Sequence, residues 1–250
     1  MLKAHKLPVS GLVKSKSRPT TTKFRIIGNS NHLLRVDEET DRPLDTRDTE
    51  RLLAQIAKQM DAGVDAVIFE DYDKGVITAE LIHGVKQMAT SHGIPVTVDP
   101  KKRNFMHYQG VTLFKPNLKE LREGLKVDGL DQKQTALDAV IFPFMKSRKM
   151  GMVMVTLSEA GVYIAWRSNG KQPVSALIPA HVRSIADVSG AGDTVIALTT
   201  LCLATGLEAP LTAALANLAG GLVCEEVGVV PVNKKKLLQE LSKSGYRERI

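Results

Sequence analysis

The sequence has no stretch near the ~20 uninterrupted apolar residues that a membrane span requires, although 43% of its 250 residues are hydrophobic. Its opening segment, MLKAHKLPVSG, carries basic residues without the apolar core of a secretory signal. Cysteine is nearly absent, with Cys202 and Cys224 each inside an apolar, helix-like run. Two isolated thiols in such runs read as buried side chains, and they exclude a disulfide framework or a cysteine zinc site. Repeats and low-complexity linkers are also missing, so one sizeable domain is the simpler expectation. Together these absences make the cytoplasm the expected location.

Acidic residues are missing from residues 1–23, which hold Lys3, Lys6, Lys14, Lys16, Arg18 and Lys23. Those six account for nearly all of the +7 net charge, because the remaining Lys and Arg almost balance the 27 acidic residues. A nucleic-acid face spread through the fold is therefore not expected. The arm at 1–23 reads as a solvated segment. Attraction of an anionic substrate or partner is the alternative.

From residue 24 onward short β-rich runs alternate with longer amphipathic ones. Phe24 to Ile27 and Leu33 to Val36 read as a hairpin across a polar GNSN connection. Asp48 and Thr49 are placed to cap a helix with Leu52, Leu53, Ile56 and Met60 on one face. DAVIFED (65–71) predicts a buried strand ending in two acids, and Thr78 opens a helix with Leu81, Ile82, Val85, Met88 and Ala89 inward. Further strands are expected at 94–98, which runs up to Asp99, and at 111–114, 152–156 and 162–166. Further helices are expected from near Asn117, at 132–145 with Pro143 kinking or ending it early, and at 191–204, 211–225 and 235–241. This rhythm predicts a parallel sheet covered on both faces. Ligands of such sheets bind outside the carboxyl ends of the strands, here the loops after Phe69, Val98, Phe114 and Val188.

The strongest chemical signal is Asp187-Val188-Ser189-Gly190-Ala191-Gly192-Asp193-Thr194, ahead of the apolar helix beginning VIALTTL. Gly190 and Gly192 let backbone approach an anion closely, and the N–H groups of a helix start favour negative charge. An Asp in that turn suits removal of a proton from a hydroxyl attacking a phosphate. The same residues also suit a plain glycine turn with Asp193 as a helix cap.

Lys115-Pro116-Asn117-Leu118-Lys119-Glu120 follows a strand. Asn117 and Glu120 have the spacing of a capping box, the better reading of the segment alone, and beside a phosphate site they could also hold Mg²⁺ through water. In VTLSEAGV, Thr156 and Ser158 can meet phosphate or ribose. The alternative there is a hairpin turn with Gly161 at a left-handed position. Lys74 and Lys101, in turns at strand ends, suit either neutralisation of a phosphoryl group or ordinary surface exposure.

DVSGAGDT resembles the signature of the ribokinase-like carbohydrate kinases. More narrowly, RPTTTKFRIIGNSNHLLRVDEE (18–39), FEDYDKGVIT, VTVDPKK, LFKPNLKEL, VTLSEAGV and ANLAGGLV occur in the order of the heptose-phosphate kinase branch. The resemblance runs from about Arg18 to Pro231. It implies a three-layer α/β/α sandwich with a mostly parallel sheet and remnants of a small β lid, as a kinase domain over 24–250 behind the arm at 1–23. It implies ATP and Mg²⁺ as cofactors and phosphorylation of heptose 7-phosphate at its anomeric hydroxyl, for lipopolysaccharide precursor synthesis. Carried over by motif, Asp193 is the catalytic base and Gly190, Ala191 and Gly192 form the anion hole. Asn117, Leu118, Lys119 and Glu120 lie at the ATP and Mg²⁺ site, with Glu120 acting on the metal through water. Thr156, Ser158 and Gly161 line the nucleotide groove, Asn217 packs near the adenine, and Lys23, Arg25 and Arg35 face the sugar phosphate.

The sequence departs from the family pattern in several places. The acidic first strand and Gly-Gly-x-x-x-Asn element of the family do not occur, so the family's N-terminal part is expected to be missing. No His-x-Gly-His motif of a nucleotidyltransferase domain occurs either, and Phe69-Glu70-Asp71 has a Glu where a smaller residue is expected. The expected partners are a sugar phosphate and ATP, without nucleic acid or membrane, and a homodimer stays open. Another sugar or nucleoside kinase, or a non-catalytic nucleotide-binding fragment, are the alternative functions.

Overall fold

The computed structural model describes residues 2–28, 31–167, 172–181 and 184–243. Strands β1 (Thr22–Gly28) and β2 (Asn31–Glu38) form an antiparallel hairpin that pairs Phe24 with Val36, Arg25 with Arg35 and Ile26 with Leu34. Period-two alternation puts Phe24, Ile26, Leu34 and Val36 on one face, and all four are exposed. Of the hairpin's connection, residues 29 and 30 lie outside the described residues.

The body is a six-stranded sheet of β3 (Val67–Glu70), β4 (Val96–Asp99), β5 (Leu113–Phe114), β6 (Met152–Thr156), β7 (Val162–Trp166) and β8 (Val174–Ile178), in that spatial order. The first four strands run parallel, and β7 is antiparallel to both of its neighbours, β6 and β8. Helices α1 (Thr46–Asp61), α2 (Ala79–Ser91), α3 (Leu118–Leu125) and α4 (Gln134–Arg148) share one core with the sheet. The other face is covered by α5 (Ala191–Ala204) and α6 (Ala209–Val223). Alternation divides β6 between the layers, with Val153 and Val155 in the first core and Met154 in the second. Finally α7 (Lys234–Lys243) packs Leu237 and Leu241 against Leu215, Leu218 and Leu222.

Several boundaries differ from the sequence expectation. Asp45, not Asp48 or Thr49, caps α1 by accepting from the Asp48 N–H. Asp and Thr cluster there, and the residue with extended backbone wins the cap. Helix α4 passes through Pro143 to Arg148, because Ile141, Phe144 and Met145 are buried on the core side and outweigh one lost backbone bond. The sheet is mostly parallel, as expected, with β7 as its antiparallel strand, and β8 was not expected; its Val-Ser-Ala-Leu-Ile run is half-buried and short. In the β6–β7 turn Gly161 sits at φ 96, ψ −131, not left-handed helical, while Ser158 takes φ 53. A Cβ on Gly161 would strike the Ile178 carbonyl oxygen.

The arm keeps Lys3, Lys6, Lys14 and Lys16 exposed, yet its end is anchored. Ser17 Oγ donates to Asp45 at 3.2 Å, Gln55 donates to the Ser10 carbonyl at 2.9 Å, and Arg18 donates to the carbonyls of Thr40, Arg42 and Lys74. Cys202 and Cys224 are free and buried, as expected. Among the described residues no helix is long and apolar enough to cross a membrane.

Candidate active site

The carboxyl ends of β3, β4 and β5 meet the first turn of α5. Parallel register sets Glu70 beside Asp99, and β5 delivers Lys115 next to both. Helix α5 is seated on β4 by a buried hydrogen bond between the Thr97 and Thr200 hydroxyls at 2.7 Å. Ligand oxygens of Glu70, Asp99 and Asp193 consequently lie within 4.8 Å of one another. Lys115 Nζ stands 3.0 Å from Asp99 Oδ2, with both side chains buried.

Three carboxyls this close cannot all ionise at low cost. Glu70 is pushed up to about 8, by burial first and then by Asp99 and Asp193, so it holds a proton at neutral pH. Burial also raises Asp99, and Lys115 opposes that rise. The set offers hard oxygen donors of the kind Mg²⁺ takes, with Lys115 as the buried cation among them.

The turn leaving β3 is held from inside. Buried Asp71 accepts from Asn104 Nδ2 at 2.9 Å, from the Tyr108 hydroxyl at 2.9 Å and from the Asp73 N–H at 2.8 Å. The next residue, Tyr72, donates its hydroxyl to Asp193 Oδ2 at 3.1 Å.

At the start of α5, Gly190 is the N-cap with φ 80, a left-handed value that favours glycine. Asp187 fastens the loop by accepting from the Ser189 N–H, the Ser189 hydroxyl and the Gly228 N–H at 2.8–3.0 Å, and these donors hold its carboxyl below the usual range. The Ala191 N–H donates to the Val188 carbonyl at 3.3 Å. The N–H groups of Gly192 and Asp193 are among the first four of the helix, which lack intrahelical partners. A Cβ on Gly192 would lie 3.7 Å from Asp99 Oδ2 and 3.8 Å from Lys115 Nζ, so this turn faces the carboxylate cluster. Asp193 lies three residues past the N-cap and bonds to Tyr72.

The capping box at Asn117 is present. Asn117 Oδ1 accepts from the Glu120 N–H at 2.8 Å, and Glu120 Oε2 accepts from the Asn117 N–H at 2.9 Å. Glu120 Oε1 is also paired with Lys101. Beside it an open groove of about 380 Å³ is lined by Asn117, Leu118, Lys119, Arg122, Gln132, Thr156, Leu157, Ser158 and Glu159. Five of the residues expected at the nucleotide thus share one groove, while Gly161 serves the turn behind it.

Other expected site residues are engaged elsewhere. Asn217 Nδ2 donates to the Pro179 carbonyl at 2.9 Å. Lys23 pairs with Asp37 and Glu39, Arg35 with Asp37, and Lys74 with Glu39, so these charges are matched within the hairpin and its base. Arg25 lies opposite Arg35 in the ladder. Sequence reasoning missed Glu70, Tyr72, Asp99 and Lys115 as site residues. The available signal was an acid at the end of each of two adjacent strands and a Lys directly after a third.

The description "pfkB family carbohydrate kinase" matches residues 1–236. The bifunctional protein HldE of Methylobacillus flagellatus is 39% identical over 227 residues, covering 91% of this chain and 45% of the relative. HldE of Syntrophotalea carbinolica is 34% identical over 241 residues, covering 96% and 48%. The chain therefore spans about half the length of the curated relatives it matches. Among solved structures, ribokinase from Giardia lamblia has a TM-score of 0.69 at 19% identity, covering 98% of this chain and 77% of that one. Ribokinase of Arabidopsis thaliana complexed with ribose and ATP has a TM-score of 0.66 at 16% identity, covering 90% and 70%. The ribokinase-like fold and the match along nearly the whole chain lead to one assignment: the chain belongs to the pfkB family of carbohydrate kinases.

Proposed function

We propose that this chain transfers the γ-phosphoryl group of ATP to a sugar phosphate, with the anomeric hydroxyl of heptose 7-phosphate as acceptor. The observation that carries the reading is Asp193 in the first turn of α5, facing Glu70, Asp99 and Lys115 at the strand ends. Asp193 takes the acceptor's proton as its oxygen attacks the γ-phosphorus. The bond from that phosphorus to the β–γ bridging oxygen breaks, and ADP leaves with the electron pair. The glycine turn at Gly190, Ala191 and Gly192 directs backbone N–H groups at the phosphoryl oxygens, where charge has to be stabilised. Lys115 adds a fixed positive charge beside that turn.

Asn117, Leu118, Lys119, Thr156 and Ser158 would hold the nucleotide in the groove they line. Asp99, and Glu70 once its proton has left, with Glu120 through water, would hold Mg²⁺, which when bound neutralises charge on the phosphates. Glu120 is committed on both oxygens, to the Asn117 N–H and to Lys101, so Lys101 would have to give way for it to take part.

The experiment is phosphoryl transfer to heptose 7-phosphate, with ribose and fructose 6-phosphate as controls, for the parent and for Asp193→Asn. Transfer to heptose 7-phosphate that falls about 10²–10⁴-fold in the variant, with little change in ATP affinity, is expected. Preference for a control sugar moves the chain to another branch of the family. Equal turnover by the variant leaves Asp193 a merely structural residue of the turn.

A further inference from the structure

We propose that Tyr72 is a positioning residue for Asp193, its hydroxyl holding one carboxylate oxygen so that the other is aimed at the acceptor. This rests on the reading of Asp193 as the base. The two residues are 121 positions apart, and their side chains meet at 3.1 Å.

The case begins with what Asp193 would do alone. It stands on an exposed helix turn, where a short carboxylate can rotate between staggered positions. The groups that face it are Glu70 from β3, Asp99 from β4 and, beyond Asp99, Lys115 after β5. Glu70 holds a proton that it can share with Asp193, and Asp99 is paired with the Lys. The hydroxyl of Tyr72 donates to Asp193 Oδ2 at 3.1 Å, beside the Glu70 carboxyl.

Tyr72 is itself held. Asp71, the residue before it, is anchored by Asn104, Tyr108 and the Asp73 N–H. Gly75, at φ 75, closes the same turn against the Arg42 carbonyl, where a Cβ would collide. The turn therefore presents the phenol from a rigid base, as positioning requires. Burial, then the Asp193 and Glu70 carboxylates, push the Tyr72 phenol up to about 12, so it stays a donor throughout the working pH range.

Tyr72→Phe removes the hydroxyl and keeps the ring. The expected result is a kcat about tenfold lower, the scale of one hydrogen bond to a charged group, with the KM for ATP unchanged. A parent-like kcat and KM for ATP in Tyr72→Phe, with Asp193→Asn inactive, overturns the inference and leaves the kinase reading intact. An Asp193→Asn variant as active as the parent removes the kinase base itself.

Discussion

Lys115 Nζ stands 3.0 Å from Asp99 Oδ2, and the two side chains are only 3% and 8% exposed. Charges so withdrawn from water are tolerated because each answers the other. Asp99→Asn leaves an uncompensated ammonium in the sheet's end, and Lys115→Met leaves an uncompensated carboxylate. Each single change should cost about 3–5 kcal/mol of stability, read from urea denaturation. The pair Lys115→Met with Asp99→Asn should recover most of that loss. Two single losses that simply add in the double variant would contradict a coupled buried pair.

Glu70 makes stability depend on pH in an unusual direction for an acid. Its carboxyl is raised to about 8 in the folded chain, against an ordinary value near 4.5. Between those two values the unfolded chain has lost the proton and the folded chain has kept it. The folded state binds more protons there, so stability falls as pH rises through this window and levels off above it. Glu70→Gln removes the dependence. Its Tm at pH 8 should exceed the parent's by about 2–4 °C, the response of a chain this size to roughly 1 kcal/mol, and the two should converge near pH 4. An equal gap at both pH values would mean that the gain has another source.

Local signals in the sequence were strong where one short segment decides the outcome. Thr78 caps α2, Asn117 and Glu120 form their box, and α5 spans Ala191 to Ala204 as its apolar run suggests. The glycine turn and Asp193 were legible for the same reason, since helix start and turn chemistry lie within a few residues. The carboxyl cluster was not. Glu70, Asp99 and Asp193 converge through strand register and the seating of α5 on β4, which no local pattern carries. Tyr72 read as a turn residue for the same reason, because its partner is distant in sequence. Strand β8 was hidden by its half-exposed Val-Ser-Ala-Leu-Ile pattern and by its place at the sheet edge.

Glu120 separates a capping role from a metal role. Glu120→Gln keeps a carbonyl oxygen for the Asn117 N–H and so keeps the box. It removes the charge that Lys101 now faces. Little loss of stability is expected, well under the ~1 kcal/mol scale of losing a cap. The Mg²⁺ concentration for half-maximal rate should rise several-fold if the carboxylate helps hold the ion's water. A flat Mg²⁺ response, with ATP affinity unchanged, would confine Glu120 to its helix.

The hairpin makes a prediction about association. Phe24, Ile26, Leu34 and Val36 share one face and are 52%, 49%, 55% and 47% exposed. The register sets Phe24 against Val36 and Ile26 against Leu34, so the four form one continuous apolar strip. Neighbouring Lys23, Arg35 and Asp37 are matched among themselves, so charge does not break the strip. A two-stranded hairpin is marginal in water unless its apolar face is covered, and contiguous apolar patches on a monomer are normally small. The chain should therefore self-associate through this face. Ile26→Thr with Leu34→Thr keeps β-branched or strand-compatible residues in the ladder and removes much of the apolar area. Sedimentation should show a mass that rises with concentration for the parent and a monomer for the double variant, with Tm nearly equal because the body's cores are untouched. A parent that stays monomeric across the whole range, or a double variant that associates just as strongly, would show that the strip is not the contact.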